Sequence, residues 1–440
     1  CSVNRHMCFH IRPRPWARTW KPPRQAQEAK PESTAGRKLA EQPQVGEYDI
    51  SHINLGKTPF VAGGISRKFS AWRRITKDTE ILSLVKGIKL DFFQKPIQNS
   101  LPHEIKFNKE ETKAVSQELK KLQSLGVIKE TTRCEGDFVS NLFIRPKKDS
   151  TKLRILANLK ILNQNVFYNH FKMDSLQNLL HLIKPNMYFA SVDLENSYYL
   201  LPIFKPHRKF LKCISLGKLW EFQALPQGYC DAPRIFTKLL KVPLTELRKH
   251  GFINFAWIDD IILLAESPQE LIRNIEATVN LLQDLGYCLN QKKSEISPVQ
   301  SIQFIGFIID TVEMTVGMTD ERAEKLIAHA NRLLNVDSCS IRDFAGLIGQ
   351  MVAAAPAVEY GPLHTKPLEI SKISALIDAH GDFDSEMKIS KYDKMDLTWW
   401  VKNVKHSVVS IVERKPQAVI YTDASTEGYG IHYPAKNITI

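Results

Sequence analysis

The 440 residues are 43% apolar and 24% charged, which is the composition of an ordinary globular chain long enough for about three domains. Sixty Lys and Arg against 47 Asp and Glu give a formal net charge of +13, which suits a polyanionic partner, although many basic proteins never bind nucleic acid. No apolar run reaches the about 20 residues of a membrane span, and no signal peptide opens the chain, so neither a membrane protein nor a secreted one is expected.

The cysteines predict reduced thiols rather than a disulfide framework, and hence an intracellular protein, cytoplasmic or nuclear. Seven is an odd number, and five of them are scattered singly, at Cys134, Cys213, Cys230, Cys288 and Cys339. The cluster at Cys1, His6, Cys8 and His10 lacks the paired spacing of a zinc finger. Because the sequence starts at Cys1 rather than Met, we expect it to be a fragment of a longer open reading frame.

The first part of the chain is rich in Arg, Lys and Pro and has no apolar period, which predicts a disordered basic arm over residues 1–66. Structure is expected from about Phe69. A helix should begin after Asn108, because Asn108 is a favourable cap and Glu111 stands three residues later, and it should end at Gly126.

Strands and helices alternate from residue 127 to 310, which predicts an α+β core. Strand-like runs occupy residues 143–145, 153–156, 187–192 and 304–309. Residues 320–334 and 341–352 have helical spacing and predict an all-helical domain after the mixed one. A new strand is predicted at residues 418–423.

Acidic residues stand at the ends of two predicted strands. Asp193 follows a strand run and should project from its carboxyl end. Asp259 and Asp260 separate two apolar runs, which predicts a tight β-hairpin with both acids at its tip. The simple interpretation is turn chemistry, since Asp tolerates positive φ. The functional interpretation is a pair of divalent ions, because adjacent carboxylates repel unless cations neutralise them.

Four motifs then resemble, in order, those of retroelement reverse transcriptases. They are residues 193–199, with Asp-Leu-Glu-Asn-Ser-Tyr-Tyr; residues 225–228, Leu-Pro-Gln-Gly; residues 257–260, Trp-Ile-Asp-Asp; and residues 304–307, Phe-Ile-Gly-Phe. The resemblance implies a right-hand polymerase that copies an RNA template from a DNA or RNA primer with dNTPs. It also implies two Mg²⁺ ions, or Mn²⁺ in their place, held by Asp193, Asp259 and Asp260.

The same resemblance implies roles for individual residues. Lys147 and Arg154 would bind the triphosphate from a basic β-hairpin, although such hairpins are often only solvated edges. Tyr198 would block a ribose 2′-hydroxyl, and Gln227 and Gly228 would line the nucleotide pocket. Lys293 would protonate pyrophosphate or would simply be a solvated lysine, Trp257 would support the primer terminus, and Phe304 and Gly306 would form the primer grip.

Beyond the palm, residues 344–364 resemble the thumb of DIRS-like, tyrosine-recombinase retrotransposons, and Trp399 with Trp400 resembles a connection segment. Residues 421–430 resemble the first strand of ribonuclease H, with Asp423 as its first metal ligand. The implied domains are fingers and palm over 67–310, a helical thumb over 311–375, a connection over 376–415 and an incomplete ribonuclease H start over 416–440. Since residues 431–440 contain no Asp or Glu, we expect no cleavage of RNA in a hybrid, and the terminal strand should lack sheet partners.

Three residues depart from the family pattern: Trp257 replaces the usual Tyr, and Asn158 and Asn196 stand where Asp is common. One alternative is therefore a decayed or domesticated remnant that binds nucleic acid without catalysis, and another is a nuclease that depends on Asp423. The intact acids at 193, 259 and 260 favour a polymerase. The oligomeric state, template and primer are left open.

Overall fold

The structure is a computed structural model that describes residues 48–56, 58–146, 153–412, 418–425 and 428–439. Most of the predicted basic arm and Lys147 lie outside the described residues. Within the described part of the chain, no helix has the length and apolar character needed to cross a membrane.

The helices follow the predicted mixed-then-helical order. They are α1 (Phe69–Ile75), α2 (Thr79–Lys86), α3 (Lys109–Ser124), α4 (Lys160–Asn163), α5 (Leu176–Leu180), α6 (Ala232–Lys249), α7 (Pro268–Asp284), α8 (Asp320–Leu334), α9 (Ile341–Ala354), α10 (Gly361–Asp378) and α11 (Lys391–Asn403). Short 3₁₀ helices cover Gly64–Lys68, Ser197–Leu200, Lys205–Leu211, Ala355–Ala357 and Pro434–Lys436.

The strands fall into separate sheets. They are β1 (Ile128–Thr131), β2 (Val139–Pro146), β3 (Leu153–Asn158), β4 (Tyr188–Asp193), β5 (Lys212–Ser215), β6 (Lys218–Phe222), β7 (Ile253–Trp257), β8 (Asp260–Ala265), β9 (Glu295–Val299), β10 (Ser301–Phe304), β11 (Phe307–Asp310), β12 (Thr315–Met318), β13 (Ser338–Ser340), β14 (Glu386–Lys388), β15 (Val408–Ser410), β16 (Tyr421–Ala424), β17 (Tyr429–Tyr433) and β18 (Ile438–Thr439).

Local sequence signals set several helix starts. Asn108 accepts a hydrogen bond from the Glu111 N–H, and the Glu111 carboxylate accepts one from the Asn108 N–H, which completes the predicted capping box of α3. Val115, Leu119 and Leu122 are the buried residues of that helix, as predicted. Ser340 and Ser390 cap α9 and α11 in the same way, with side chains that accept a hydrogen bond from the third residue of each helix.

The sheet that carries the acids has the strand order β7-β8-β4-β9, with antiparallel pairing throughout. Helix α7 packs on β8, β4 and β9, and α6 packs on α7 and β7. Most residues of β4 and β8 are buried, so the two strands form the centre of this sheet. A second sheet, in the order β1-β6-β5-β2-β3, forms the fingers side and shares the large core with the palm.

A third sheet, β10-β11-β12-β15, joins the palm to the helical domain of α8 to α11. Its core is a second hydrophobic cluster that contains Phe304, Phe344 and Trp400. Helices α8, α9, α10 and α11 all contribute buried residues to this cluster.

Several sequence predictions need correction. The predicted strand 304–309 is a hairpin, because Ile305 and Gly306 adopt positive φ angles of 42° and 81° and separate β10 from β11. The predicted end of the arm at residue 66 is wrong, since Ile53, Leu55 and Ile65 are buried in the main core. Hydrophobic burial of these few side chains outweighed the low overall apolar content of the segment.

Further corrections concern the domain boundaries and the terminal strand. The predicted domain boundary at 310 crosses the β11–β12 hairpin, and that at 375 falls inside α10. The predicted thumb and connection share one core, because Trp400 of α11 packs on Gly361 at the start of α10. A Cβ added at Gly361 would lie 2.9 Å from the Trp400 ring. The terminal strand β16 does have sheet partners, in the order β16-β17-β18.

Candidate functional site

Asp193 and Asp260 are directly opposite each other on neighbouring strands. Asp193 is the last residue of β4 and Asp260 the first of β8, and the antiparallel register pairs them. Asp193 is only 8% exposed. Its backbone is fixed from both sides, since its N–H donates to Ser294 Oγ at 3.0 Å and its carbonyl accepts from the Asn290 N–H at 2.8 Å.

The hairpin tip is shifted by one residue from the prediction. Trp257 pairs with Asp260, so the two-residue loop consists of Ile258 and Asp259 rather than of the two acids. Ile258 adopts a φ of 56°, which is unfavourable for a β-branched side chain and marks a strained turn. The Asp259 carbonyl accepts a hydrogen bond of 3.1 Å from the N–H of Leu194, which ties the loop to the end of β4.

Burial and mutual repulsion dominate the electrostatics of these acids. Burial, followed by the charges of Asp259 and Asp193, raises the pKa of Asp260 to about 6. The pKa of Asp259 is also raised, first by burial and then by Asp193. Lys293 opposes this effect, because its Nζ lies 3.5 Å from Asp193 Oδ2, but its side chain is 68% exposed.

The donor set fits hard divalent cations. Carboxylate oxygens are the ligands that Mg²⁺ and Mn²⁺ prefer. A cation would relieve the repulsion by Asp259 and Asp193 that adds to the effect of burial on the pKa of Asp260. Among the residues that the structure describes, however, no group of three or more His, Cys, Asp or Glu is arranged as a ready cluster for a metal ion. Donor chemistry therefore favours a metal here more strongly than the present side-chain geometry does.

The Leu225–Gly228 turn is held against the fingers by an asparagine. Gly228 has a φ of 107°, and an added Cβ would lie 2.7 Å from the Ala157 carbonyl of β3. The Asn163 Nδ2–H donates to the Gly228 carbonyl at 2.9 Å, and the Cys230 N–H donates to Asn163 Oδ1 at 3.1 Å. Asn163 was not predicted as a site residue. Its only sequence signal is its place a few residues after β3. Gln227, the third residue of the turn, is partly exposed.

Tyr198 and Arg154 both interact electrostatically with Asp259. Tyr198, in the 3₁₀ helix Ser197–Leu200, packs edge-on against Phe236 with ring centroids 5.5 Å apart. Burial, followed by the charge of Asp259, raises the pKa of the Tyr198 phenol to about 12, so its hydroxyl is neutral. Arg154 is exposed on β3, and its charge lowers the pKa of Asp259. Asn196 caps the 3₁₀ helix with a φ of 50°, a conformation that Asn and Asp both tolerate, which accounts for Asn at this position.

Trp257, Ile305, Gly306 and Phe307 line a cleft of about 570 Å³ between the palm and the helical domain. Helices α8 and α9 supply further lining residues, including Arg322 and Ala353. Phe304 is buried and packs edge-on against Phe255 of β7, so it supports the turn from below rather than lining the cleft. Asp423 lies apart from these elements, in β16 of the terminal sheet, opposite Gly430.

Comparison with known proteins assigns this site to a family. The model of the family described as reverse transcriptase (RNA-dependent DNA polymerase) matches residues 145–309, which include β4, the β7–β8 hairpin and all three acids. Residues 145–309 belong to the reverse transcriptase family. The predicted family and the α+β polymerase fold are thereby confirmed for the part of the chain that carries the site.

Curated relatives of this reverse transcriptase domain include transposon polyproteins. The Tf2-3 and Tf2-7 polyproteins of Schizosaccharomyces pombe are each 26% identical over 253 residues, which is 55% of this chain and 18% of theirs. The chain thus spans less than a fifth of the length of these relatives. They support a retrotransposon origin, whereas the DIRS-like subgroup stays a prediction.

Solved structures agree with the reverse transcriptase fold. A foamy viral protease-reverse transcriptase in complex with double-stranded DNA has a TM-score of 0.59 and 19% identity, and the match covers 91% of this chain and 67% of that one. A foamy viral protease-reverse transcriptase in complex with an RNA/DNA hybrid has a TM-score of 0.57 and 18% identity, covering 83% and 49%.

Proposed function

We propose that this chain is an RNA-directed DNA polymerase, which extends a primer 3′-hydroxyl with dNTPs on an RNA template. The observation that carries this assignment is the pairing of Asp193 with Asp260 across β4 and β8, with Asp259 tied to the same strand end. Such convergence of acids at the rim of a rigid buried sheet suits phosphoryl transfer, in which positioning and charge stabilisation supply most of the catalysis.

Asp193, Asp259 and Asp260 would hold two divalent cations, Mg²⁺ or Mn²⁺. When bound, such ions activate the attacking hydroxyl and stabilise the charge on the leaving pyrophosphate. The closeness of the acids supports this reading, because burial and the neighbouring carboxylates already hold the pKa of Asp260 well above the usual range for Asp.

Several side chains would bind and orient the nucleotide. Arg154, exposed on β3 and electrostatically coupled to Asp259, would contact the triphosphate, and Lys147 would join it from the same predicted hairpin. The Tyr198 ring, held in place by Phe236, would exclude a 2′-hydroxyl. Gln227 and Gly228 would line the pocket, with Asn163 holding the turn in place.

Lys293 and the primer side complete the assignment. Lys293, whose Nζ lies 3.5 Å from Asp193 Oδ2, would give a proton to pyrophosphate as it leaves. Trp257 would stack on the primer terminus, and the turn at Ile305 and Gly306 would support the primer backbone across the cleft. The excess of basic residues, with its formal charge of +13, favours binding of template and primer phosphates.

The test is primer extension on poly(rA) with an oligo(dT) primer, dTTP and Mg²⁺. We expect Asp193→Asn and Asp259→Asn to abolish extension while primer–template affinity stays nearly unchanged, because phosphate contacts dominate binding. Asp284→Asn, an exposed acid at the end of α7, serves as the matched control and should extend normally.

Two results would contradict the assignment. Extension that survives in either site variant would remove those acids from the reaction. A wild-type chain that binds primer–template but adds no nucleotide would instead support the decayed or domesticated remnant.

A further inference from the structure

The turn between β10 and β11 is held by the first residues of α8. The Thr319 N–H and hydroxyl both donate to the Gly306 carbonyl, at 3.2 and 3.3 Å. The Arg322 Nη1–H donates to the Ile305 carbonyl at 3.0 Å. Both carbonyls of the turn are therefore bound from the helical domain and not from the palm.

Arg322 also reaches a third element. Its Nη2–H donates to the Ala353 carbonyl near the end of α9, at 2.9 Å. The guanidinium carbon lies 4.3 Å from the centroid of the Phe307 ring, at the start of β11. One side chain thus joins the turn, the following strand and two helices, with the two hydrogen bonds leaving different nitrogens of one planar group.

The contact at Gly306 is tight. An added Cβ would lie 3.0 Å from Arg322 Cδ and 3.3 Å from Nη1, and the Gly306 backbone has a φ of 81°. Arg322 consequently fills the space that any other residue at 306 would need. The turn and this side chain fit as a pair on one wall of the cleft that Trp257 also lines.

We propose that Arg322 is a positioning residue that makes the primer-side turn move with helices α8 and α9 as one body, an inference that rests on the proposed polymerase function. Through these contacts the turn keeps a fixed position relative to α8 and α9 and so holds the primer terminus near Trp257. Lysine cannot replace this brace, because its single ammonium lacks the fixed fork that spans two carbonyls.

Arg322→Lys keeps the charge but loses the fork, and Arg322→Met loses both. The matched control is Arg332→Lys, because Arg332 also links α8 to α9, but through two hydrogen bonds to Asp343 instead of to the turn. Thr319→Val provides a second route to the same turn, since it removes only the hydroxyl contact to Gly306. Melting temperatures show whether each variant is folded.

The first readout is dissociation of a fluorescently labelled RNA–DNA primer–template, chased with unlabelled duplex, and the second is fluorescence of a 2-aminopurine placed at the primer 3′ end. We expect dissociation roughly tenfold faster and altered 2-aminopurine stacking in both Arg322 variants, which is the scale of one lost charged hydrogen bond. Thr319→Val should show a smaller change in the same direction, and Arg332→Lys should match the wild type.

Neither readout requires nucleotide addition, so the brace and the polymerase assignment can be contradicted independently. A wild type that binds but does not extend would overturn the polymerase assignment alone. Wild-type dissociation and stacking in Arg322→Lys would overturn the brace, because the guanidinium fork would then not be needed. This holds whether or not Arg322→Met is impaired. A lower melting temperature in the Arg322 variants without a change in either readout would assign Arg322 to stability only.

Discussion

Replacing Asp260 by Asn should stabilise the folded protein although it removes a carboxylate from the proposed cation site. The pKa of Asp260 is raised from 3.8 to about 6, mainly by burial and then by Asp259 and Asp193. At about 1.36 kcal/mol per pH unit, this difference corresponds to roughly 3 kcal/mol of penalty on the ionised carboxylate in the folded state. Asp260 is partly exposed, and solvent screening reduces the expected value to about 1–2 kcal/mol.

The pH dependence follows from the direction of the shift. Above about pH 6 the carboxylate is ionised in both folded and unfolded chains, so the folded state bears the whole penalty. Between about pH 6 and 3.8 the folded chain takes up the proton first, and the penalty falls to about a third near pH 4.5. Asn carries no charge at any of these pH values, so its advantage over Asp should be largest near pH 7.5.

The assay is thermal unfolding of wild type and Asp260→Asn without divalent ions, near pH 7.5 and near pH 4.5. We expect the variant to melt about 1–2 °C higher near pH 7.5, with a clearly smaller gain at the lower pH. Glu276→Gln, at an exposed position in the middle of α7, is the control and should change neither melting temperature. Adding Mg²⁺ should raise the melting temperature of the wild type more than that of the variant, because ions that bind only the folded site stabilise it.

An Asp260→Asn variant that melts at or below the wild-type temperature near pH 7.5 would refute the reasoning. So would a gain of the same size at both pH values, since the benefit would then not come from removing a charge. Equal stabilisation of both proteins by Mg²⁺ would leave the electrostatic account intact and would remove Asp260 from the proposed cation site.

Three further substitutions test the nucleotide and primer sides. Gly228→Ala should raise the KM for dTTP several-fold, because its Cβ would lie 2.7 Å from the Ala157 carbonyl. The control is Gly217→Ala, also at positive φ but with nothing within 4 Å of the added Cβ, and it should leave the KM unchanged. Equal KM values in the two variants would count against a tight pocket wall. Tyr198→Ala should admit ribonucleotides in a dNTP/rNTP competition assay, whereas Tyr198→Phe keeps the ring against Phe236 and should still reject them. Unchanged discrimination in the Ala variant would mean that another residue excludes the 2′-hydroxyl. Trp257→Tyr should leave primer extension unchanged or modestly raised, since an aromatic ring remains in the cleft and tyrosine adds a hydroxyl. A collapse of extension would mean that the cleft is adapted to the indole ring.

Several features could be predicted from the sequence because their causes are local. The capping box of Asn108 and Glu111 spans four consecutive positions, and hydrogen bonds within one turn are sufficient to form it. The strand that ends at Asp193 and the hairpin before Asp260 follow from apolar runs interrupted by acids. The order of the motifs along the chain was sufficient to predict the family that residues 145–309 match.

Tertiary structure decided how these pieces meet. The pairing of Trp257 with Asp260 makes Ile258 and Asp259 the loop, a one-residue difference that hydrogen bonding between neighbouring strands sets and composition does not. Asn163 and Arg322 had no distinct signal, because their partners at Gly228, Ile305 and Ala353 are brought near only when separate elements pack. Strand β15 pairs with β12 although about 90 residues of sequence separate the two strands. Backbone groups at a sheet edge need hydrogen-bond partners, and which strand supplies them depends on the whole packed fold.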